Sequence, residues 1–167
     1  GNLTTIIDPN NNPTGFGYDE INRLITKTDP LNHQTNFTYD YVGNLIILTD
    51  ANLNEENYYY DALYRRIEQV NAMGERIHFG YDEVSNLTSV TDARGSVTNF
   101  GYDSLNRRTT ETDPLGKTTQ YQYNPTGTLS GKTTPKGDAH TFTYDDINRL
   151  AASSHPGIGT YNYAYND

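Results

Sequence analysis

The chain has 167 residues, 34% of them hydrophobic, with 15 Tyr, 14 Gly, one Met, no Trp and no Cys, and a formal net charge of -9. So acidic a chain repels phosphate backbones, which argues against nucleic-acid binding, and the lack of cysteine excludes a disulfide framework and thiolate metal sites. The longest purely apolar run, Leu45 to Leu48, is four residues, far short of the roughly 20 that a membrane-spanning helix needs.

Taken in chain order, the sequence predicts short strands separated by turns. It opens inside a unit at Gly1-Asn2-Leu3. Further on, Thr35 to Tyr39 alternates, with Phe37 and Tyr39 on one face and Asn36 and Thr38 on the other, the pattern of a half-buried strand. Asp40 to Asn44 is a turn. Leu45 to Thr49 is rich in apolar and β-branched residues and reads as the returning strand. Asp113-Pro114-Leu115-Gly116 shows the chemistry of the second turn: Asp bonds the backbone ahead, Pro presets φ, and Gly permits φ > 0. Pro or Gly recurs too often for a helix of useful length. The expectation is all-β: about sixteen short strands in tandem β-hairpin repeats, forming a long antiparallel twisted sheet.

The period behind this is fixed. Tyrosine recurs at Tyr18, Tyr39, Tyr60, Tyr81, Tyr102, Tyr123, Tyr144 and Tyr165, always 21 residues apart, followed by Asp19, Asp40, Asp61, Asp82, Asp103, Asn124, Asp145 and Asn166. An aromatic stands two places before each tyrosine, from Phe16 to Tyr163, and Pro or Ala twelve places after, as at Pro30, Ala51 and Pro114. Self-similarity at such a period marks a repeat architecture. The whole chain, 1–167, is expected to be a single array of eight units truncated at both ends, with no separate domain. A second period of 42 overlays the first: Arg23, Arg65, Arg107 and Arg149 mark alternate units, and Asn44 and Asn86 mark the intervening ones. Four residues beyond each arginine stand Lys27, Gln69, Glu111 and Ser153, whereas the intervening units carry Ile6, Leu48, Val90 and Lys132. The structural unit is therefore expected to be a pair.

Units such as Tyr39-Asp40-Tyr41-Val42-Gly43-Asn44-Leu45 through Thr49-Asp50, and Tyr102-Asp103 through Asp113-Pro114-Leu115-Gly116, resemble the YD repeats of Rhs proteins, which also occur in Tc toxin cocoon subunits and in teneurins. The resemblance covers the chain from end to end. It implies a β-hairpin sheet that spirals into a hollow shell, enclosing a toxic C-terminal domain in the bacterial members and forming part of an adhesion ectodomain in teneurins. Two departures stand out. The repeats here are too few to close a shell alone, and the family's self-cleaving C-terminal core segment is missing; Asp113-Pro114-Leu115-Gly116 resembles one element of it but sits mid-array as an ordinary turn.

Candidate sites are few. His33, His78, His140 and His155 fall in different columns, so scattered surface histidines with no ligand pair are expected. No nucleophile and base are positioned together, and no catalytic residue, cofactor site or metal ligand is assigned. Six stacked aspartates (Asp19, Asp40, Asp61, Asp82, Asp103, Asp145) would repel one another; Ca²⁺ is one remedy, and Asx-turns with the nearby arginines are the favoured one, since Asn124 and Asn166 substitute. The tyrosines read as the buried face filling the space between hairpins, ahead of a sugar-stacking surface. The leading functional expectation is a non-enzymatic scaffold segment of a secreted or cell-surface protein, building the wall of a toxin-encapsulating shell or an extracellular fibre. Its expected partners are neighbouring repeats of the same or an identical chain, with encapsulated C-terminal cargo of the parent or glycans beyond these. A carbohydrate- or receptor-binding adhesion module is the alternative, and an autoprotease or hydrolase ranks last. Uncapped ends predict end-to-end self-association.

Overall fold

The computed structural model describes residues 1–166. The strands are β1 (Thr5–Ile7), β2 (Pro13–Tyr18), β3 (Leu24–Thr28), β4 (Gln34–Tyr39), β5 (Leu45–Thr49), β6 (Glu55–Tyr60), β7 (Arg66–Val70), β8 (Arg76–Tyr81), β9 (Leu87–Thr91), β10 (Val97–Tyr102), β11 (Arg108–Thr112), β12 (Thr118–Tyr123), β13 (Leu129–Thr133), β14 (Ala139–Tyr144), β15 (Leu150–His155) and β16 (Gly159–Asn162). They lie in one sheet in sequence order, antiparallel in the pairs β4/β5 and β5/β6. The predicted all-β class and the hairpin repeat are what the structure shows. By internal packing the chain resolves into two compact units, Gly1–Phe79 and a second beginning at Gly80, built on the same repeat.

Both turns of the repeat have one design. At the first, the Asp19 amide donates to the Arg23 carbonyl and the Asn22 amide to the Asp19 carbonyl; at the second, Asp113 and Lys117 with Gly116 do the same. The fourth residue of each turn takes positive φ, as at Asn22 (65°), Gly43 (102°) and Gly116 (76°), which closes a type I turn with its left-handed bulge. Asn and Gly meet that demand at little cost. Leu53 (φ 66°) and Tyr64 (φ 60°) meet it against their preference.

The odd period of 21 is resolved by a register shift beside each tyrosine. In the β4/β5 pair, Phe37 faces Leu48 and Thr38 faces Ile47, but Tyr39 faces Leu45, so Ile46 is an extra, unpaired residue on β5. The same arithmetic leaves Ile25, Ile67, Thr109, Ser130 and Ala151 unpaired in the equivalent hairpins. These bulges correct parity. Paired residues share a face of an antiparallel sheet, and side chains alternate along a strand. Phe37 faces Leu48, Leu48 faces Glu56, and Glu56 shares its face with Tyr58, so Phe37 and its counterpart Tyr58 lie on one face. Without the bulge Phe37 would align with Asn57, and successive aromatics would point to opposite sides.

In each unit one face therefore carries the aromatics together with an alternating column, Lys27, Leu48 and Gln69 in the first and Glu111, Lys132 and Ser153 in the second. The other carries pairs such as Thr26–Asn36, Thr110–Gln120 and Thr112–Thr118, the last pair bonded through its hydroxyls at 2.9 Å. The expected buried aromatic face needs correction. Val70 is the one buried hydrophobic residue among those described, and Ser153 the one buried polar residue; Phe37, Tyr39 and Tyr60 are half-buried. Within either unit the protein is a single layer, and no second layer covers the rings.

Candidate functional site

Each repeat holds its neighbour by a clamp built from the tyrosine and the aspartate that follows it. The β3/β4 ladder pairs Thr26 with Asn36 and runs away from the tyrosine. Past the ladder, the Tyr39 hydroxyl donates to the Leu24 carbonyl, 2.9 Å away. The same reach of fifteen residues joins Tyr18 to Leu3, Tyr60 to Leu45, Tyr102 to Leu87, Tyr123 to Arg108, Tyr144 to Leu129 and Tyr165 to Leu150, at 2.8 to 3.0 Å. A side-chain donor thus continues the ladder where the bulge has turned the strand. Tyr81 also has an interaction partner.

The aspartate fixes the turn. Asp19 Oδ1 accepts the amides of Ile21 and Arg23, and Oδ2 accepts Arg23 Nε at 2.7 Å. Asp61, Asp103 and Asp145 treat Arg65, Arg107 and Arg149 alike. In the intervening units an asparagine replaces the arginine: Asp40 Oδ2 accepts Asn44 Nδ2 at 2.8 Å, and Asp82 accepts Asn86. These bonds favour the charged form. The amide and guanidinium of Arg23 hold the Asp19 carboxyl below its usual 3.8 against desolvation, and the side chain of Arg107 does the same for Asp103. At Asp40 desolvation is the largest influence and raises the pKa, yet the bonds from Asn44, Gly43 and Val42 together lower it. The second-turn aspartates work identically: Asp50 Oδ1 accepts the Asn52 and Asn54 amides.

The 42-residue alternation is a difference in how units reach forward. Arg23, held by Asp19, lies over the Tyr39 ring at 4.9 Å and donates to the Asp40 carbonyl at 3.0 Å. Arg107 lies over Tyr123 at 4.8 Å and donates to Asn124, and Arg149 lies over Tyr165 at 4.5 Å. The intervening units reach forward by amide or hydroxyl: Asn2 to Asn22, Asn86 to Asn106 and Thr126 to Asn148. Arginine units thus bond the tyrosine and carbonyl ahead, while the others bond the left-handed asparagine ahead.

On the aromatic face, Tyr58 donates to Glu56 at 2.7 Å, and burial together with that bond pushes its phenol up to about 12. Arg108 spans Phe100 and Tyr121 and lies 3.4 Å from Glu111.

The histidines separate into three settings. His33 lies 2.9 Å from Asp29 in its turn, and exposed His78 stands 3.6 Å from Glu68. The histidines, expected to be scattered, include two that meet. His140 and His155 occupy facing positions on β14 and β15, with their Nδ1 atoms 2.9 Å apart. Column comparison misses the pair because cross-strand partners come from different columns. The fifteen-residue separation, the same as in every tyrosine clamp, is the signal that could have found it.

The family model for the RHS repeat matches residues 1–31, 18–55, 60–97, 81–118 and 102–139. The chain belongs to the RHS repeat family. No curated protein sequence matches it. Among solved structures it is similar to a chain of the Photorhabdus luminescens Tc holotoxin pore, with 17% identity over 90% of this chain and 9% of that one, at a TM-score of 0.71. The TcdB2-TccC3-Cdc42 crystal structure matches at 0.74, with 14% identity over 93% of this chain and 11% of that one. The TcdB2-TccC3-TEV structure matches at 0.73, with 17% identity over 90% and 10%. The RHS chain thus spans about a tenth of the length of the structures it matches, and at these identities the likeness is one of fold.

Proposed function

We propose that this RHS-repeat chain is a non-enzymatic scaffold segment that builds part of the wall of a hollow shell, in a protein secreted or displayed at the cell surface. The observation that carries this reading is the clamp: each repeat spends its tyrosine hydroxyl, its aspartate oxygens and its forward-reaching arginine or asparagine on the turn or on a neighbouring repeat. Chemistry spent on self-attachment suits a wall, and stability that sums over nearest neighbours is how repeat arrays work. The matches to Tc toxin chains support a shell over a fibre, and the Thr, Asn, Gln and Gly face suits a surface lining a wet interior. The partners on this reading are adjacent repeats of the same array and a cargo segment of the parent chain, with the 167 residues acting as one continuous array.

Electron microscopy of the full-length parent tests this directly. Hollow closed particles with this segment in the wall are expected, and solid filaments would overturn the shell. Sugar stacking is disfavoured because Arg23 and Arg107 already cover the rings of Tyr39 and Tyr123. Glycan-array binding that disappears in Tyr39→Ala or Tyr60→Ala would revive it. Hydrolysis by the purified chain would revive an enzymatic role.

A further inference from the structure

His155 stands in the column held elsewhere by Asp8, Asp29, Asp50, Asn71, Asp92, Asp113 and Thr134. At Asp8, Asp29, Asp50, Asn71, Asp92 and Asp113 the side-chain oxygen accepts amides of the turn. An imidazole in that place turns back over the aromatic face instead, where its ring meets His140, Phe142 and Tyr161 edge-on. His140 is the cross-strand neighbour of Lys132, in a column otherwise held by Thr14, Thr35, Glu56, Ile77, Thr98, Thr119 and Tyr161. Two departures from the repeat pattern therefore coincide in space.

We propose that His140 and His155 form a chelating site for a divalent transition metal that favours tetragonal geometry, with Cu²⁺ the preferred ion. Three features carry this. First, the Nδ1 atoms are 2.9 Å apart. Two imidazole nitrogens on one metal sit ~2.8 to 3.3 Å apart, so little movement brings both to one ion, and among first-row divalent ions Cu²⁺ binds such nitrogens most tightly. Second, His155 Nε2 lies 3.1 Å from Ser153 Oγ, and Ser153 is only 3% exposed and bonds onward to the Tyr163 hydroxyl at 3.1 Å. Donation from Nε2–H to this held oxygen leaves the Nδ1 lone pair of His155 free for a metal and fixes the ring, the role that supporting bonds play at metal-ligating histidines. Third, both rings are only part-buried, so water or a further ligand can complete the coordination. Without metal, the neutral His140 ring carries its single proton on Nδ1, directed at His155 Nδ1; metal entry moves that proton to Nε2 of the same ring through solvent, so both Nδ1 lone pairs become available and no net proton is released. Lys132, paired with His140 across the strands, has its Nζ 5.8 Å from the Tyr121 ring centroid.

The test is titration of the full chain with Cu²⁺, followed by calorimetry and electron paramagnetic resonance, with Ca²⁺ and Mg²⁺ as oxygen-preferring controls. One equivalent is expected, with hyperfine structure from two imidazole nitrogens and an affinity roughly 100-fold above either single-histidine variant, since the second ligand binds intramolecularly. His140→Gln and His155→Asn remove one ligand each. His155→Asn restores a residue the column already uses at Asn71, so loss of binding there is not loss of fold. Ser153→Ala should weaken binding by about 10-fold while keeping both nitrogens in the spectrum. Unchanged affinity in His140→Gln or His155→Asn, a one-nitrogen spectrum in the unaltered chain, or loss of the site in His33→Gln or His78→Gln instead would each overturn the proposal.

Discussion

Inserting one alanine between Ile47 and Leu48 tests the parity role of the bulge. Side-chain identity at the bulge matters little: equivalent positions hold Thr109, Ser130 and Ala151, and Ile46 is only half-buried. Ile46→Ala should therefore cost less than about 1 kcal/mol. An added residue is different in kind. With both flanking turns kept, Phe37 faces the inserted alanine, the alanine faces Asn57, and Leu45 recedes one place from Tyr60, whose hydroxyl loses its acceptor at 2.8 Å, a net loss of about 1 kcal/mol. Phe37 and Tyr58 fall on opposite faces, and each forfeits about half the 1.5–3 kcal/mol that full burial of a large apolar side chain provides. The total is roughly 3 kcal/mol at one junction, a large share of the 5–15 kcal/mol typical of a folded domain. Deleting Ile46, by contrast, leaves Phe37 opposite Leu48 and both aromatics on one face. Urea denaturation followed by tyrosine fluorescence measures the midpoint, and amide exchange across β4 to β6 shows whether the damage is local. An insertion variant that melts within about 1 kcal/mol of Ile46→Ala, with β6 still protected, would refute the parity argument.

The forward clamp predicts coupling between Arg23 and Tyr39. Arg23→Met and Tyr39→Leu in a double-mutant cycle should show about 0.5–1 kcal/mol of interaction, the range for an exposed cation over a ring, and additive effects would remove the clamp from the account. Leu53→Gly relieves a non-glycine residue at φ 66° and should stabilise the chain by about 1 kcal/mol by thermal melting; no gain would mean the turn carries no strain. Acid should unfold the array. The carboxyls of Asp8, Asp19, Asp50, Asp92 and Asp145 are held below 3.8 by hydrogen bonds, so their stabilisation is complete above that value and is lost as pH falls below it through the lowered values. A melting temperature flat from pH 4 to 2 would contradict this. Ca²⁺ should leave the melting temperature unchanged, because the aspartate oxygens already accept amide and guanidinium hydrogens; a large rise would show that the rows bind it.

Much of this fold can be read from the residues because turn chemistry repeats so often. Asp-Pro-x-Gly and the Asp40 to Asn44 turn mark both ends of every strand, and the β-branched or alternating stretches between them are too short for anything but strands. The layer count could not be read. Alternation at Phe37 and Tyr39 says that one face is more apolar than the other, but the same pattern serves a sandwich, a covered sheet and a bare one, and only tertiary placement separates them. The arginine period could be read as an alternation, whereas its meaning depends on Arg23 lying over a ring sixteen residues later, across the Asp29 to His33 turn. The misfit of His155 in an aspartate column is visible in the sequence. Its partner is not, because the columns align equivalent residues whereas contact joins positions that the hairpin folds face to face.

The bulge and the arginine period answer two separate demands of one repeat. An odd period in an antiparallel meander sends successive aromatics to opposite faces, and one unpaired residue per unit restores them to one. Restored to one face, identical units would then set like side chains in register, with like charges meeting at strand spacing. Alternation by 42 dilutes this: the column facing the aromatics runs Lys27, Leu48, Gln69 in the first unit and Glu111, Lys132, Ser153 in the second. Every connection made by this scheme spans only fifteen to twenty-two residues. Contacts so local let folding start at any hairpin and spread, and they confine a lesion such as one residue added within β5 to its own junction. An array assembled from such units tolerates sequence drift in each copy, provided the tyrosine, the capping aspartate and the bulge persist.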